Sequence, residues 1–192
     1  MPSSTDGVRA ALEGAASTVL GAVADHPGAK APVVLIDGRS GAGKSTLAAM
    51  LRERWRGAVR VVALDDLYPG WDGLARGAEA ARRDVVEPHA AGRTAQWHRW
   101  DWAADAYGAE VEAVSADTAL IIEGSGVLTP ASATLADVRV WLESPAQSRR
   151  HRALGRDGDT YRPHWERWAA QEDVHLAADD PRALADIVVD VP

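Results

Sequence analysis

Short apolar runs punctuate this chain: Val33-Val34-Leu35-Ile36, Val59-Arg60-Val61-Val62-Ala63-Leu64, Ala119-Leu120-Ile121-Ile122, Val138-Arg139-Val140-Trp141-Leu142 and Ile187-Val188-Val189. Their continuity, with no strict polar alternation, predicts strands covered on both faces, as in a parallel sheet. After the first run, Leu47, Ala48, Met50 and Leu51 predict a helix that packs back on the sheet to about Trp55, ended by Gly57. At the front, Val8, Leu12, Ala16, Val19, Leu20 and Val23 share one helical face, so a leading surface helix capped at Thr5 or Asp6 is expected. Asp25 to Lys30 then reads as a loop around Pro27-Gly28.

Further along, a helix is expected over Ala103 to Ala113 and another is opened by Pro145. A Gly/Asp turn at Gly155 to Asp159 should precede a third, from Pro163 to about Leu176. Residues 76 to 102 are polar, rich in Arg and Trp, and show no clean period. Strands alternating with helices predict an α/β fold with a mainly parallel sheet between helical layers. No internal repeat or linker interrupts residues 1–192, which read as one domain.

The stretch after the first strand changes the picture from fold to chemistry. Gly38-Arg39-Ser40-Gly41-Ala42-Gly43-Lys44-Ser45 is G-x-x-x-x-G-K-S, the P-loop pattern, in its strand–loop–helix setting. That makes the expected architecture a P-loop NTPase three-layer α/β/α sandwich. Glycines at 38, 41 and 43 let successive amides turn inward as an anion nest at a helix N-terminus. A triphosphate is expected along residues 38–46, from Gly38 through Ser40, Ala42 and Gly43 to Thr46, with Lys44 on its terminal phosphates and the Ser45 hydroxyl on Mg²⁺.

Composition narrows the class. The 192 residues are 46% hydrophobic and 26% charged, ordinary for a globular chain, and the net charge of −7 argues against a general nucleic-acid grip. No cysteine is present, so thiolate chemistry and disulfides are excluded. No apolar run has membrane-helix length, and the start Met1-Pro2-Ser3-Ser4-Thr5-Asp6 lacks the basic character of a signal peptide. A cytoplasmic protein is expected. The six histidines show no metal-ligand spacing.

Ligands of such sheets sit at the carboxyl ends of the strands. Carboxylates fall there three times: Asp37 before the P-loop, Asp65-Asp66 after the second run and Glu123 after the third. A carboxylate at that edge can hold Mg²⁺ or orient an attacking hydroxyl. Asp37 reads as structural, and position alone does not separate Asp65 from Asp66. Arg149, Arg152 and Arg156, spaced i, i+3, i+7, share a helical face. Between residues 147 and 167 six arginines stand against three acids, which reads as a lid laying guanidinium forks over phosphate. Trp97, Trp100 and Trp102 around Asp101 serve either as walls for a small polyol or nucleoside or as plain packing.

Taken in order, these pieces resemble the uridine kinase-like branch of P-loop kinases, with pantothenate kinase and phosphoribulokinase as relatives. The resemblance covers about residues 32 to 160. Asp65-Asp66-Leu67-Tyr68 resembles the family's Asp-x-Phe-Tyr segment, which implies Asp65 as catalytic base and Tyr68 at the substrate. Trp100-Asp101-Trp102 resembles its Tyr-Asp-Phe segment, implying Asp101 on substrate hydroxyls. Leu120-Ile121-Ile122-Glu123-Gly124 resembles its Ile-x-Glu-Gly strand, implying Glu123 at the metal. Arg149, Arg152 and Arg156-Asp157 resemble its lid helix, implying Arg152 and Arg156 on phosphates and Arg149 on substrate. Uridine kinases carry a longer segment before the Glu-Gly strand, including a hairpin that grips the base; here 21 residues separate Asp101 from Glu123, and most read as helix.

The resemblance therefore implies an ATP- and Mg²⁺-dependent phosphotransferase acting on an alcohol of a small molecule, uridine or cytidine kinase-like, or else a kinase of another metabolite or antibiotic hydroxyl. The rival class is a nucleotide-dependent switch or ATPase module. A GTPase would want Asn-Lys-x-Asp, and the chain has no asparagine; an ABC-type signature stretch is also missing. Neither a nucleic-acid nor a membrane partner is expected, and the oligomeric state is left open.

Overall fold

A computed structural model of the protein describes residues 4–26 and 31–192. The expected Pro27-Gly28 turn lies outside the described residues. The first helix, α1 (Ser4–Ala24), begins before Thr5 and Asp6 rather than being capped by them. Asp6 thus falls in the first turn, where a carboxylate complements the helix dipole.

Five strands build the main sheet: β1 (Val33–Gly38), β2 (Val59–Ala63), β5 (Ala119–Glu123), β6 (Val138–Glu143) and β7 (Ile187–Asp190). Their order is β2-β5-β1-β6-β7 and every pairing is parallel. β1 is central and wholly buried. Side chains alternate across a strand, so its residues split between two cores. Val33 and Leu35 join Val62, Leu120 and Ile122 on one face. Val34 and Ile36 join Ile121, Val140 and Leu142 on the other. The second face is covered by α1 and by α2 (Lys44–Arg54), through Leu12, Ala16, Val19, Leu47 and Leu51. The first is covered by α3 (Leu74–Ala80), α6 (Ala146–Tyr161) and α7 (Trp165–Asp179). The result is a three-layer α/β/α sandwich.

Three expectations are corrected. Ala103 to Ala113 is not a helix: β3 (Ala95–Asp101) and β4 (Ala106–Val114) form an antiparallel hairpin. The segment has helix-favouring residues but buries almost none of them, so no apolar stripe fixed a helix and cross-strand pairing supplied the backbone bonds instead. Asp105 turns the corner with φ 50, a left-handed conformation that Asp tolerates. Residues 76 to 102 are also ordered. α3 runs through a widened turn (Ala81–Val86) into α4 (Glu87–Ala90), then β3. Leu74, Ala81, Val85 and Val86 are buried, at helical spacing that the intervening arginines masked.

The arginine-bearing segment expected to form a lid is likewise more helical than expected. α6 continues through Gly155 and breaks only at Gly158 (φ 56, ψ −132). Pro163 lies in a short 3₁₀ turn (Arg162–His164) ahead of α7. Two short helices, α5 (Pro130–Ala133) ahead of β6 and α8 (Pro181–Leu184) ahead of β7, pack against each other, and α8 also meets β6. Among the described residues no helix is long and apolar enough to cross a membrane.

Candidate active site

β1 ends at Gly38 and α2 starts at Lys44, so the five residues between them must reverse the chain over the sheet edge. Gly41 (φ 80) does so where a Cβ would lie 2.2 Å from the Arg149 carbonyl oxygen, leaving room for no other residue. Gly43, at φ 108, caps α2 and leaves its first amides without intrahelical partners, facing outward as an anion site. The Lys44 ammonium folds back along this loop. It donates to the carbonyls of Gly38 (2.7 Å) and Arg39 (3.2 Å) and to Ser125 Oγ (3.2 Å).

A cleft of about 680 Å³ opens above this loop. It is lined by most of the expected groups: Ser40, Gly41, Gly43, Lys44, Ser45 and Thr46 from the P-loop, Asp65 and Tyr68 after β2, Glu123 at the end of β5, and Arg152 and Arg156 from α6. Gly38 and Ala42 support the loop from behind, Ala42 fully buried with its amide on the Arg39 carbonyl (3.0 Å). Asp65 and Asp66 part company here. Asp65 lines the cleft, whereas Asp66 pairs with Arg99 of the hairpin at 2.7 Å.

The two carboxylates at the sheet edge are electrostatically distinctive. Crowding by protein pushes the Asp65 carboxyl above its ordinary range even though its surface opens to the cleft, with Lys44 and Arg156 pulling the other way. Burial raises Glu123 too; Lys44 opposes this, Asp65 adds to it, and a hydrogen bond from Ser45 favours the ionised form. Ser45 and Glu123 both line the cleft at this point. Among the described residues no cluster of three or more His, Asp or Glu is arranged to hold a metal. A cation here would share one carboxylate and one hydroxyl with its phosphates, the usual habit of Mg²⁺.

The lid arginines divide by depth. Arg152 Nε donates to the Gly41 carbonyl (2.8 Å), and its other nitrogens reach Ser144 and the Pro192 backbone oxygen. Arg156 forms a two-bond pair with Asp157 at the cleft wall (2.8 and 2.7 Å). Arg149, expected at the substrate, is buried beneath the loop instead, its guanidinium spent on the carbonyls of Ser144 (3.1 Å) and Ser40 (3.2 Å). Asp101 also stays out of the cleft. Its Oδ1 accepts from the amides of Ala103 and Ala104 (2.9 and 3.0 Å) and shapes the hairpin turn. Its neighbour Trp102 takes the place, lining the cleft with Nε1 on the Asp65 carbonyl (2.9 Å). Tyr68 contributes its ring only, since its hydroxyl donates to the Ser125 carbonyl (2.7 Å). Trp97 is core, and Trp100 packs edge-on against Tyr107.

Sequence reading missed what α7 brings. Trp165, Trp168, Glu172 and His175 recur at helical spacing and are all buried, and two polar residues on an apolar stripe were the available signal. Glu172 Oε2 accepts from Arg39 Nε (2.9 Å), while Oε1 accepts from the Ser40 amide (2.6 Å) and Ser125 Oγ (3.1 Å). Through Ser125 it reaches Lys44. Removing this carboxylate leaves Arg39 to be held by Asp173 (2.7 Å) and the Ala169 carbonyl (3.1 Å), frees the Ser40 amide and loosens the crown of the loop. Glu172→Ala is therefore expected to raise the Kd for MgATP about tenfold, with Glu172→Gln recovering part of it, as read by calorimetry.

His175 sits between Asp37 Oδ2 (3.0 Å) and Asp179 Oδ2 (2.8 Å). Both ring nitrogens face carboxylates and so must both carry protons. Burial works against that charge, but the two hydrogen-bonded carboxylates outweigh it and hold the pKa above its ordinary 6.5. Asp37 also accepts from the amides of Gly126 (3.1 Å) and Leu128 (2.8 Å), a structural use of this carboxylate. A raised folded pKa contributes stability that is complete below the unfolded pKa and lost as pH rises through the folded one. The melting-temperature gap between the native chain and His175→Gln should therefore be a few degrees near pH 6 and shrink towards pH 9. A constant gap would disprove the charged triad.

With this geometry in hand, comparison with known proteins is informative chiefly at the level of structure. The chain is similar to the solved structure of a possible uridine kinase from Bacillus stearothermophilus, with a TM-score of 0.67 and 22% identity over 94% of this chain and 97% of that one. No protein-family model matches, and no curated protein does. The likeness establishes the fold, an α/β sandwich around a parallel sheet that this chain shares with that structure.

Proposed function

Starting from that fold, we propose that the chain is an ATP-dependent phosphotransferase moving a γ-phosphoryl group to the hydroxyl of a small molecule. One observation carries the reading: an amide nest with its lysine and an elevated carboxylate, Asp65, open into the same cleft, which has room beyond them for a second substrate. A switch or simple ATPase has no use for that extra, ring-lined space. The chain is read as one unit with residues 147–167 as its lid.

In this mechanism the 38–46 loop holds the triphosphate of ATP through its amides. Ser45 and Glu123 are suited to Mg²⁺, which when bound neutralises phosphate charge and orients the phosphates. Lys44, Arg152 and Arg156 offset the charge that develops on the transferring group. Asp65 receives the acceptor's proton, or holds the hydroxyl in line for attack. The transition state is loose, so alignment and charge stabilisation matter more than base strength. The lid excludes water, which would otherwise compete with the acceptor.

Within this class, the displacement of Asp101 and Arg149 from the cleft favours a metabolite alcohol other than a ribonucleoside. An ADP-release screen over nucleosides, sugars, vitamins and aminoglycoside-like alcohols, followed by mass detection of product, tests the proposal. Release that depends on an added alcohol supports it; ATP consumption indifferent to every alcohol returns the reading to an ATPase module.

A further inference from the structure

Beyond Asp65 the cleft is walled by rings. Trp102 is fixed beside that carboxylate by its indole N–H on the Asp65 carbonyl (2.9 Å) and remains 40% exposed. Trp71 lies 4.9 Å from it between centroids, tilted by 56°, and is itself stacked by His164 at 4.1 Å and Tyr161 at 5.5 Å, so that it turns an edge to the cleft. Trp168 meets Trp71 edge-on at 6.3 Å and Tyr68 at 4.8 Å. The polar tips of two of these rings are already committed. The Tyr68 hydroxyl donates to the Ser125 carbonyl and the Trp102 indole to the Asp65 carbonyl. They therefore offer the open volume mainly π surface and apolar edge, beside the Asp65 carboxyl and facing Arg156, Asp157 and Thr160.

We propose, resting on the phosphotransfer reading above, that the acceptor is an alcohol borne on a flat, largely apolar ring. It binds by stacking on the exposed face of Trp102 with Trp71 against its edge, and a vicinal diol adds nothing to its recognition. Aromatic walls favour a planar partner through offset and edge-on contacts. A ribose or an open-chain polyol instead brings several hydroxyls, each costly to bury without a partner. The two side chains that resemblance would set on such hydroxyls are spent elsewhere, Asp101 on the hairpin amides and Arg149 on the carbonyls of Ser144 and Ser40. The step itself is ordinary transfer. The ring alcohol's oxygen bonds to the γ-phosphorus as the bridging P–O bond breaks, its electron pair leaves on ADP, and the hydroxyl proton passes to the Asp65 carboxylate.

Two measurements on the full chain separate this inference from the reading beneath it. In the first, tryptophan fluorescence is titrated with benzyl alcohol and pyridylmethanol, against glycerol and ribitol. Saturable quenching by the ring alcohols alone is expected, and Trp102→Ala, on an exposed hairpin turn, should weaken it about tenfold while the Kd for MgATP holds. In the second, ADP release is compared for uridine and its dideoxy analogue, where rates within about threefold are expected. A roughly tenfold loss on removing the diol, a polyol as the best ligand, or quenching unaltered in Trp102→Ala would overturn the ring proposal. Ring binding without any ADP release would leave this site standing and sink the phosphotransfer reading instead.

Discussion

Lys44→Ala should cut kcat/KM for phosphoryl transfer by about 10²–10³-fold, about 2.7–4 kcal/mol of transition-state stabilisation. The ammonium is half of what makes the loop a phosphate site, since amides supply partial charge and lysine a full one. It also sits where the loop can be damaged by its loss, because it ties together the carbonyls of Gly38 and Arg39. Two contacts hold the loop without it. Ser125 Oγ still reaches the Gly38 carbonyl (3.0 Å), and Glu172 still takes the Ser40 amide (2.6 Å). The variant is therefore expected to melt within a few degrees of the native chain, so that lost turnover reports on charge rather than unfolding. A Lys44→Ala protein that keeps full kcat/KM would remove the lysine from the chemistry.

The second large effect is expected from Asp65→Asn. The swap keeps shape and volume but removes the acceptor of the hydroxyl proton, and a loss of about 10²–10⁴-fold in kcat is expected from such a change. MgATP should bind as before, because the loop contacts are untouched, and calorimetry checks this. Asp66→Asn supplies the control. Asp66 is engaged with Arg99 on the outer side of the hairpin, so its loss should leave turnover nearly intact. The opposite pattern, full activity in Asp65→Asn and little in Asp66→Asn, would mean the wrong carboxylate has been assigned.

Why the phosphate half of the cleft was legible in the sequence, and the acceptor half less so, has a physical basis. The P-loop is local: strand, glycines, lysine and helix lie within some twenty residues, and each glycine answers a backbone demand on the spot. Asp65 and Glu123 follow directly from strands that end where a parallel sheet binds ligands. The acceptor wall is assembled from three distant pieces, with Trp71 after β2, Trp102 on the hairpin and Tyr161 with Trp168 from the lid and α7. No periodicity connects them. The hairpin was hidden because β4 is exposed along nearly its whole length, leaving helix-prone alanines and glutamates to suggest the wrong element. In Trp100-Asp101-Trp102, the turn geometry decided which residue faces the cleft. It chose the indole of Trp102 over the carboxylate that resemblance pointed to. Glu172 and Arg149 are brought to the loop by long-range packing of α6 and α7; Glu172 sits in no motif, and the arginine series marked Arg149 without showing that it would turn beneath the loop.

The fate of the γ-phosphoryl group is the most direct test. Phosphorus NMR of the chain with MgATP and a ring alcohol should show ADP and a phosphate monoester appearing in equal amounts, with almost no ADP when the alcohol is left out. Inorganic phosphate forming at the same rate with or without the alcohol, or no reaction and no ATP binding at all, would contradict the account.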